Sequence, residues 1–223
     1  MSEGLRLGVV DDHPAILRGI LTILVELCPE ITETFTTSTV PALLGAHRSL
    51  DIVVLDVRLA DGSDPAANVA AVVDAGLPVL LYTQEQRRGV LARCFRAGAL
   101  GVVDKSEEPG VLAAAIRVVA AGEPYLNSGW AAAVEDADDW PVPELAPRES
   151  EALGLYATGL PLKSVARRMH LSEDTVKEYL DRVRRKYTRA GRPAYTKVDL
   201  YQRAVEDGYL PPPGEGAPAD PAR

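Results

Sequence analysis

The chain has 223 residues, of which 47 % are apolar and 5 % aromatic, and its formal net charge is −8. That length permits one large domain or two ordinary ones, and the apolar fraction can form a packed core, which excludes disorder throughout. Cys28 and Cys94 are too far apart in sequence for a metal knuckle or a redox pair, so we expect a reduced, cytoplasmic setting. The first residues lack a signal-peptide pattern and no stretch is apolar enough to cross a bilayer, so we expect neither secretion nor a membrane partner.

The negative charge is unevenly distributed along the chain. Residues 1–126 carry a net charge of −6 and residues 127–144 carry −5, whereas residues 145–210 carry +4 and residues 211–223 carry −1. This asymmetry predicts two domains with different partners, and it keeps a nucleic acid open as the partner of the basic segment.

The first half alternates short apolar runs with longer helical patterns. Buried strands are predicted at Leu5–Val10, Ile52–Leu55, Pro78–Tyr82 and Gly101–Val103, and a more polar strand at Thr32–Thr37. Helices are predicted at Ile16–Leu27, Val40–His47, Pro65–Ala75, Arg88–Ala97 and Val111–Ala120. Five βα units predict an α/β domain over residues 1–126, in which helices cover both faces of a five-stranded, parallel, doubly wound sheet.

The second half changes in composition twice. Residues 127–144 hold five acidic residues and no lysine or arginine, which predicts an extended acidic linker. Residues 145–210 predict an all-α domain with four helices, at Arg148–Thr158, Leu162–Met169, Thr175–Ala190 and Lys197–Asp207. The proline-rich residues 211–223 are predicted to be disordered.

Polar side chains follow four of the predicted strands, and they are Asp11, Asp12, Asp56, Thr83 and Lys105. The carboxyl ends of parallel strands meet at one edge of the sheet, where ligands bind. Clustered carboxylates repel one another unless a cation neutralises them, so a Mg²⁺ site is implied, with a lysine and a hydroxyl suited to a phosphoryl group. Each aspartate taken alone is typical of a turn or a helix cap, but the presence of all five polar residues at the ends of four strands favours one shared site. His13 is as consistent with a loop residue as with a ligand.

About 120 residues resemble the receiver domain of two-component response regulators. The matching segments are Val9–Pro14, Val54–Leu59, Tyr82–Thr83 and Val103–Ser106. The resemblance implies the flavodoxin-like strand order 2-1-3-4-5. It also implies that Asp56 is the phosphoacceptor, that Asp11 and Asp12 bind Mg²⁺ together with Asp56, and that Arg58 is a ligand through its backbone carbonyl.

The same resemblance assigns the phosphoryl contact to Lys105 and the switch hydroxyl to Thr83. Two positions depart from the family pattern. Gln84 follows the switch hydroxyl, where the family usually has a small residue, and Val102 stands where many receivers carry an aromatic switch residue. These departures keep open an alternative interpretation, a pseudo-receiver that is controlled by a ligand or a partner and does not depend on phosphorylation.

An enzyme is the third interpretation of the first domain. A phosphatase-like hydrolase would use Asp56 as its nucleophile, and haloacid-dehalogenase-type enzymes resemble this arrangement. They typically carry a second aspartate two residues later, where this chain has Arg58. We therefore expect a protein that is not an enzyme and has no catalytic residues.

The basic domain contains a predicted helix-turn-helix. Its two helices meet at a break over His170–Ser172, and Ser172 is a good N-cap for the second helix. The buried stripe of that helix is predicted to be Val176, Leu180, Val183 and Tyr187. Its remaining faces carry charged side chains, which fit the major groove of double-stranded DNA, although a merely solvated charged face is the alternative.

Residues 147–190 look like the LuxR/NarL-type helix-turn-helix. The matching segments are Leu145–Glu149, Ala157–Leu160, Val165–Met169 and Leu171–Lys177. The resemblance places Lys177, Glu178 and Asp181 at positions that face bases, after Thr175 in the same run. The phosphate contacts are expected from Arg182, Arg184, Arg185, Lys186, Lys163, Arg167 and Arg168. If a monomer neutralises about four phosphates, log K falls with log salt at a slope of roughly −3.6.

Together the two resemblances imply a response regulator of the NarL/LuxR type that regulates transcription. A sensor histidine kinase would phosphorylate it, and the phosphorylated receiver would favour a homodimer that places two helix-turn-helix modules on paired DNA half-sites. RNA polymerase is a further possible partner.

Overall fold

A computed structural model describes residues 4–46, 49–125, 127 and 141–212 of the chain. The chain divides into two units, residues 1–86 with 93–135 and residues 87–92 with 136–223, and each is described by itself. The predicted linker over 127–144 and the predicted tail over 211–223 lie mostly outside the described residues, as does the end of the helix predicted at Val40–His47. The proposed domain boundaries therefore stay predictions.

The first unit is a five-stranded parallel sheet with helices between the strands. Its strands are β1 (Leu5–Val10), β2 (Ile31–Thr37), β3 (Ile52–Leu55), β4 (Val79–Thr83) and β5 (Gly101–Asp104). The helices that connect them are α1 (Pro14–Leu27), α2 (Val40–Gly45), α3 (Pro65–Asp74), α4 (Arg88–Arg96) and α5 (Pro109–Ala120). Of α4, residues 93–96 belong to this unit. The strand order is β2-β1-β3-β4-β5, which confirms the expected flavodoxin-like topology.

Several helices begin earlier than the apolar period predicts. Prolines occupy the first helical turn at Pro14 and Pro109, where the backbone N–H that proline lacks has no intrahelical partner. The proline ring is pre-set for a helical φ angle, so the helix starts there and not at the first apolar residue. The start of a helix is thus set by this local geometry, and its length by the buried face.

One large cluster of the core of the first unit lies between the sheet and the pair α1 and α5. Alternate strand residues face this side, because successive side chains of a strand point to opposite faces. The buried members of this cluster include Leu7, Val9, Ile52, Val54, Leu80, Val103, Ile20, Leu24, Leu112 and Ile116. This packing holds the carboxyl ends of the strands in a fixed relation to one another.

The second unit is built from four helices within residues 141–212, which agrees with the predicted all-α domain. They are α6 (Pro147–Ala157), α7 (Leu162–Met169), α8 (Glu173–Arg189) and α9 (Lys197–Glu206). The predicted stripe of α8 is confirmed as its buried face. Val176 and Leu180 pack with α7, whereas Val183 and Tyr187 pack with residues of α6 and α9. The described helices of both units include none with the length and hydropathy of a bilayer span.

Candidate functional site

The carboxyl end of the sheet brings polar side chains from separate strands into one acidic pocket. Asp11 and Asp56 are nearly buried, at 2 % and 6 % exposure, because each directly follows a central strand. Ligand atoms of Asp11, Asp12, His13 and Asp56 all lie within 4.8 Å of one another. Such crowding of carboxylates in a shielded place requires compensating positive charge.

Lys105 supplies part of that positive charge. Its Nζ lies 2.5 Å from Asp56 Oδ2 and 2.7 Å from Asp11 Oδ2, and its side chain is almost entirely buried. Burial by itself lowers the pKa of Lys105, but the close contacts with the carboxylates of Asp11 and Asp56 outweigh it, and the pKa is raised. Lys105 is therefore a cation at neutral pH, and one lysine beside three carboxyl groups does not balance their charge.

The carboxylates are held in a way that suits a divalent cation. His13 N–H donates to Asp11 Oδ1 at 2.8 Å, and Ala60 N–H donates to Asp12 Oδ2 at 3.0 Å. The other oxygens, Asp11 Oδ2 and Asp12 Oδ1, are buried and accept no hydrogen bond of normal geometry, although Lys105 and the His13 ring lie within ion-pair distance. Buried oxygens of this kind are ligands for a hard cation, so the residues fit Mg²⁺.

Two residues outside the predicted site set, His13 and Glu85, lie close to predicted site residues. His13 Nδ1 is 3.1 Å from Asp12 Oδ1 and 3.2 Å from Asp11 Oδ1. Glu85 is 4 % exposed, and its Oε2 lies 4.0 Å from Arg58 Nε. The sequence left the role of His13 open between a loop residue and a ligand, and the structure places its ring beside both aspartates. Nothing in the local sequence signals that Glu85 is buried.

The loop after β4 donates a backbone hydrogen bond to the hydroxyl of Thr83. Thr83 is 1 % exposed, and its Oγ1 accepts a hydrogen bond from Glu85 N at 3.1 Å. Gln84, between them, is exposed. Arg58 N–H donates to Asp56 Oδ1 at 3.2 Å, so the backbone at Arg58 lies directly beside the phosphoacceptor candidate.

A second candidate site is the junction of α7 and α8. His170 ends α7 in the left-handed conformation with φ of 56°, the one positive φ at a non-glycine residue in the described ranges. Ser172 Oγ then accepts from Thr175 N at 3.1 Å, which confirms the predicted N-cap of α8. A tight left-handed turn followed by a capped helix is the geometry of a helix-turn-helix.

The charged side chains of this junction fall into two sets. Along α8, cations pair with acids one turn away, and the pairs are Lys177 with Asp174, Arg182 with Glu178 and Arg184 with Asp181. The described residues give no ion pair to a second set of exposed cations, which are Lys163, Arg167, Arg168, Arg185 and Arg189. This second set, here called the unpaired cations, is available for an external anion.

Each of the two candidate sites lies in a part of the chain that matches a known protein family. Residues 7–117 match the family model of the response regulator receiver domain, and residues 143–196 match that of the bacterial regulatory proteins of the luxR family. The DNA-binding transcriptional activator DevR/DosR of Mycobacterium tuberculosis is 32 % identical over 222 residues, which cover 93 % of this chain and 97 % of that protein. The chain belongs to the response regulators with a luxR-family DNA-binding domain. It is a DNA-binding regulator of transcription in a two-component system.

Two further similarities agree with this assignment of the response regulator. The nitrate/nitrite response regulator protein homolog of Haemophilus influenzae is 30 % identical over 209 residues, 91 % of this chain and 99 % of that protein. The structure of RcsB from Salmonella enterica serovar Typhimurium, bound to promoter rprA in the presence of the phosphomimetic BeF3⁻, covers 90 % of this chain and 98 % of its own. At 19 % identity and a TM-score of 0.60, it shows the same fold.

In this response regulator, Lys186 has partners inside its own domain. Its Nζ lies 2.5 Å from Glu149 Oε2 and 2.8 Å from the carbonyl oxygen of Glu144. Glu149 is buried at the start of α6 and also accepts from Ala146 N at 2.9 Å. Burial raises the pKa of Glu149, but the bonds from Lys186 and Ala146 outweigh it and lower the pKa. Lys186 thus ties α8 to α6, which competes with its predicted phosphate contact.

Proposed function

We propose that Asp56 accepts a phosphoryl group and that this modification controls DNA binding by the second unit. The proposal depends mainly on one observation, the convergence of Asp11, Asp12 and Asp56 with Lys105 2.5 Å from Asp56 Oδ2. No other cluster of three such acidic or metal-ligating residues was found among the described residues.

The chemistry follows from these contacts. A carboxylate oxygen of Asp56 forms a bond to phosphorus while the bond to the donor breaks, and the donor leaves with that electron pair. Lys105 turns its ammonium group from the carboxylates to a phosphoryl oxygen, which keeps its charge paired throughout. Asp11, Asp12 and Asp56, with the backbone carbonyl of Arg58, would hold Mg²⁺, which supplies charge neutralisation at the phosphoryl oxygens when bound.

A phosphodonor experiment tests this part. The whole protein is incubated with acetyl phosphate and Mg²⁺, and its intact mass is measured. We expect one added phosphoryl group in the wild type and in Asp61→Asn, an exposed aspartate of the neighbouring loop, and none in Asp56→Asn. An adduct that persists in Asp56→Asn, or no adduct at all, contradicts the proposal.

The metal is tested separately from the chemistry. Asp12→Asn keeps a side chain that can accept from Ala60 N but removes one negative charge from the pocket. We expect a weaker affinity for Mg²⁺ in calorimetric titration, with thermal stability preserved. Equal affinity in the wild type and the variant would exclude Asp12 from the metal site.

For DNA, we propose that Lys177, Glu178 and Asp181, after Thr175, face the bases of the major groove. The phosphate contacts come mainly from the unpaired cations, with Arg182 and Arg184 released from their acids on binding. Acids near the bases accept from cytosine N4 but repel phosphates elsewhere, so they favour selective binding over non-specific binding. Lys186 is the weakest member of the predicted phosphate set because Glu149 already engages it.

Selection of bound duplexes from a random DNA library, with and without acetyl phosphate, tests the regulatory part. We expect an enriched inverted repeat with stronger enrichment after phosphorylation, because a two-fold homodimer matches two half-sites. A salt slope near zero on the selected duplex would contradict phosphate contacts.

The pseudo-receiver is the second candidate. It is favoured by Val102, which is fully buried and aliphatic where an aromatic switch residue is common in the family, and by Thr83, whose Oγ1 is already held by Glu85 N. Full operator affinity of Asp56→Ala, equal to that of the phosphorylated wild type, would favour this candidate over ours.

The wider assembly is part of the same proposal. We infer a sensor histidine kinase as the phosphodonor, a homodimer as the active state, and a cytoplasmic, non-enzymatic regulator that acts on RNA polymerase at the promoter. The domain boundaries are proposed as 1–126 for the receiver, 127–144 for the linker, 145–210 for the DNA-binding domain and 211–223 for the tail. Limited proteolysis with mass analysis of the fragments tests these boundaries.

A further inference from the structure

One aromatic side chain of the first unit lies between the acidic pocket and an apolar groove. Tyr82 is the β4 residue directly before Thr83. Lys105 Nζ lies 6.0 Å from the centre of the Tyr82 ring, at the outer limit of a cation–π contact. The same ammonium group lies 2.5 Å from Asp56 Oδ2. The cation that pairs with Asp56 therefore also acts on this ring.

The groove on the other side of Tyr82 is formed by α1 and α5. It has a volume of about 190 Å³ and is lined by Ile16, Ile20 and Ile23 of α1, by Pro109 and Leu112 of α5, and by Tyr82. Tyr82 is the one aromatic residue of this lining. A change in its ring position therefore changes the shape of the groove directly.

Val102 on β5 offers no aromatic ring on which the charge of Lys105 could act. Its side chain is fully buried and aliphatic, so it offers no π face to a cation. The electrostatics of Tyr82 agree with a place at the edge of the pocket. Burial raises the pKa of Tyr82, and the charge of Lys105 opposes that rise while Asp11 and Asp104 add to it. The ring thus experiences the charges of the pocket across a short, partly desolvated distance.

We propose that Tyr82 is a positioning residue that couples the occupancy of Asp56 to the groove between α1 and α5. This inference rests on the proposed phosphorylation of Asp56. When a phosphoryl group is present, Lys105 moves to a phosphoryl oxygen and its attraction for the Tyr82 ring changes. The ring then adopts a different packing against Ile16, Ile20 and Leu112.

Fluorine NMR of the whole protein tests the first half of this coupling. The chain is labelled with 3-fluorotyrosine, and Tyr82→Phe and Tyr125→Phe assign the two resonances. Beryllofluoride with Mg²⁺ is the probe for the phosphoryl group. We expect the Tyr82 resonance to move by several linewidths, while the resonance of Tyr125, which packs on the same core, stays in place.

Methyl NMR tests the second half. We expect the methyl resonances of Ile16 and Ile20 to shift on addition of beryllofluoride in the wild type and in Tyr82→Phe, which keeps the ring. Tyr82→Leu removes the ring, and there the shifts should fall at least several-fold. A thermal melt checks that Tyr82→Leu is folded; if it is not, the fluorine measurement on the wild type decides.

The outcomes separate this inference from the proposed function. Bound beryllofluoride has its own fluorine signals, which must disappear in Asp56→Asn. Failure to bind overturns both the phosphorylation of Asp56 and the coupling. Binding with an unmoved Tyr82 resonance, or with full isoleucine shifts in Tyr82→Leu, overturns the coupling alone.

Discussion

Two neighbouring cations on α8, Arg185 and Lys186, should respond to removal in opposite ways. The sequence alone treats them alike, as phosphate contacts. In the structure Arg185 is exposed and belongs to the unpaired cations, whereas Lys186 Nζ lies 2.5 Å from Glu149 Oε2. Arg185→Ala and Lys186→Ala remove the same charge and differ in what each leaves behind.

The magnitudes follow from these contacts. Lys186→Ala leaves the carboxylate of Glu149, whose side chain is 6 % exposed, without its charged partner. Loss of a charged partner by a buried group costs about 1–3 kcal/mol, which lowers the Tm of a domain of this size by at least about 4 °C. Arg185→Ala changes stability by less than about 0.5 kcal/mol, since it breaks no described ion pair. It would remove one proposed phosphate contact, so we expect the salt slope to change by about 0.9.

Two measurements on the intact protein check this pair. Calorimetry follows the unfolding of the C-terminal unit, and fluorescence anisotropy on a selected duplex gives log K against log salt. We expect a lower Tm for Lys186→Ala and a shallower slope for Arg185→Ala. The reasoning is refuted if Lys186→Ala makes the slope shallower with an unchanged Tm, because Lys186 would then contact phosphate and not Glu149.

Three further predictions concern stability. The pKa of Glu149 in the folded protein lies below its ordinary value of 4.5. The stabilisation of the fold by ionised Glu149 is therefore complete above pH 4.5 and is lost as the pH falls through the folded-state pKa. We expect the Tm of Glu149→Gln to fall less steeply with acidification than the Tm of the wild type. Asp207→Asn weakens the ion pair with Arg192, in which Asp207 is fully buried, and should destabilise the C-terminal unit by up to about 3–5 kcal/mol in calorimetry. Gly101→Ala should destabilise the first unit in urea unfolding, because the added Cβ would lie 2.6 Å from the carbonyl oxygen of Tyr125.

The fold was largely predictable because its signals are local. Buried apolar runs such as Ile52–Leu55 mark central strands of a parallel sheet, and all four residues of this run are buried. The stripe on α8 follows the helical period for the same reason. The strand order came from the resemblance and not from periodicity, because the order of strands depends on crossovers that no local pattern records.

The site was predictable only where topology brings residues together. Asp11, Asp56 and Lys105 each follow a strand, and parallel strands end at the same edge, so their meeting follows from the fold. The burial of Glu85 and its approach to Arg58 depend on the course of two loops. The pair of Lys186 and Glu149 joins residues 37 apart in sequence, which charge patterning within one helix cannot reveal.

Under the proposed base contacts, the acids of α8 would explain how a domain with a modest net charge binds DNA selectively. Glu178 and Asp181 are exposed, and each pairs with an arginine one turn further along the helix. Exposed ion pairs of this kind contribute about 0.3–0.5 kcal/mol to the stability of the helix. Their separation therefore costs little free energy when phosphates attract the arginines. In the proposed complex the freed carboxylates would face the groove, where only a donor such as cytosine N4 compensates them. A duplex without that donor would leave them unpaired beside phosphates, so we expect the same acids to weaken non-specific binding and to favour a particular sequence.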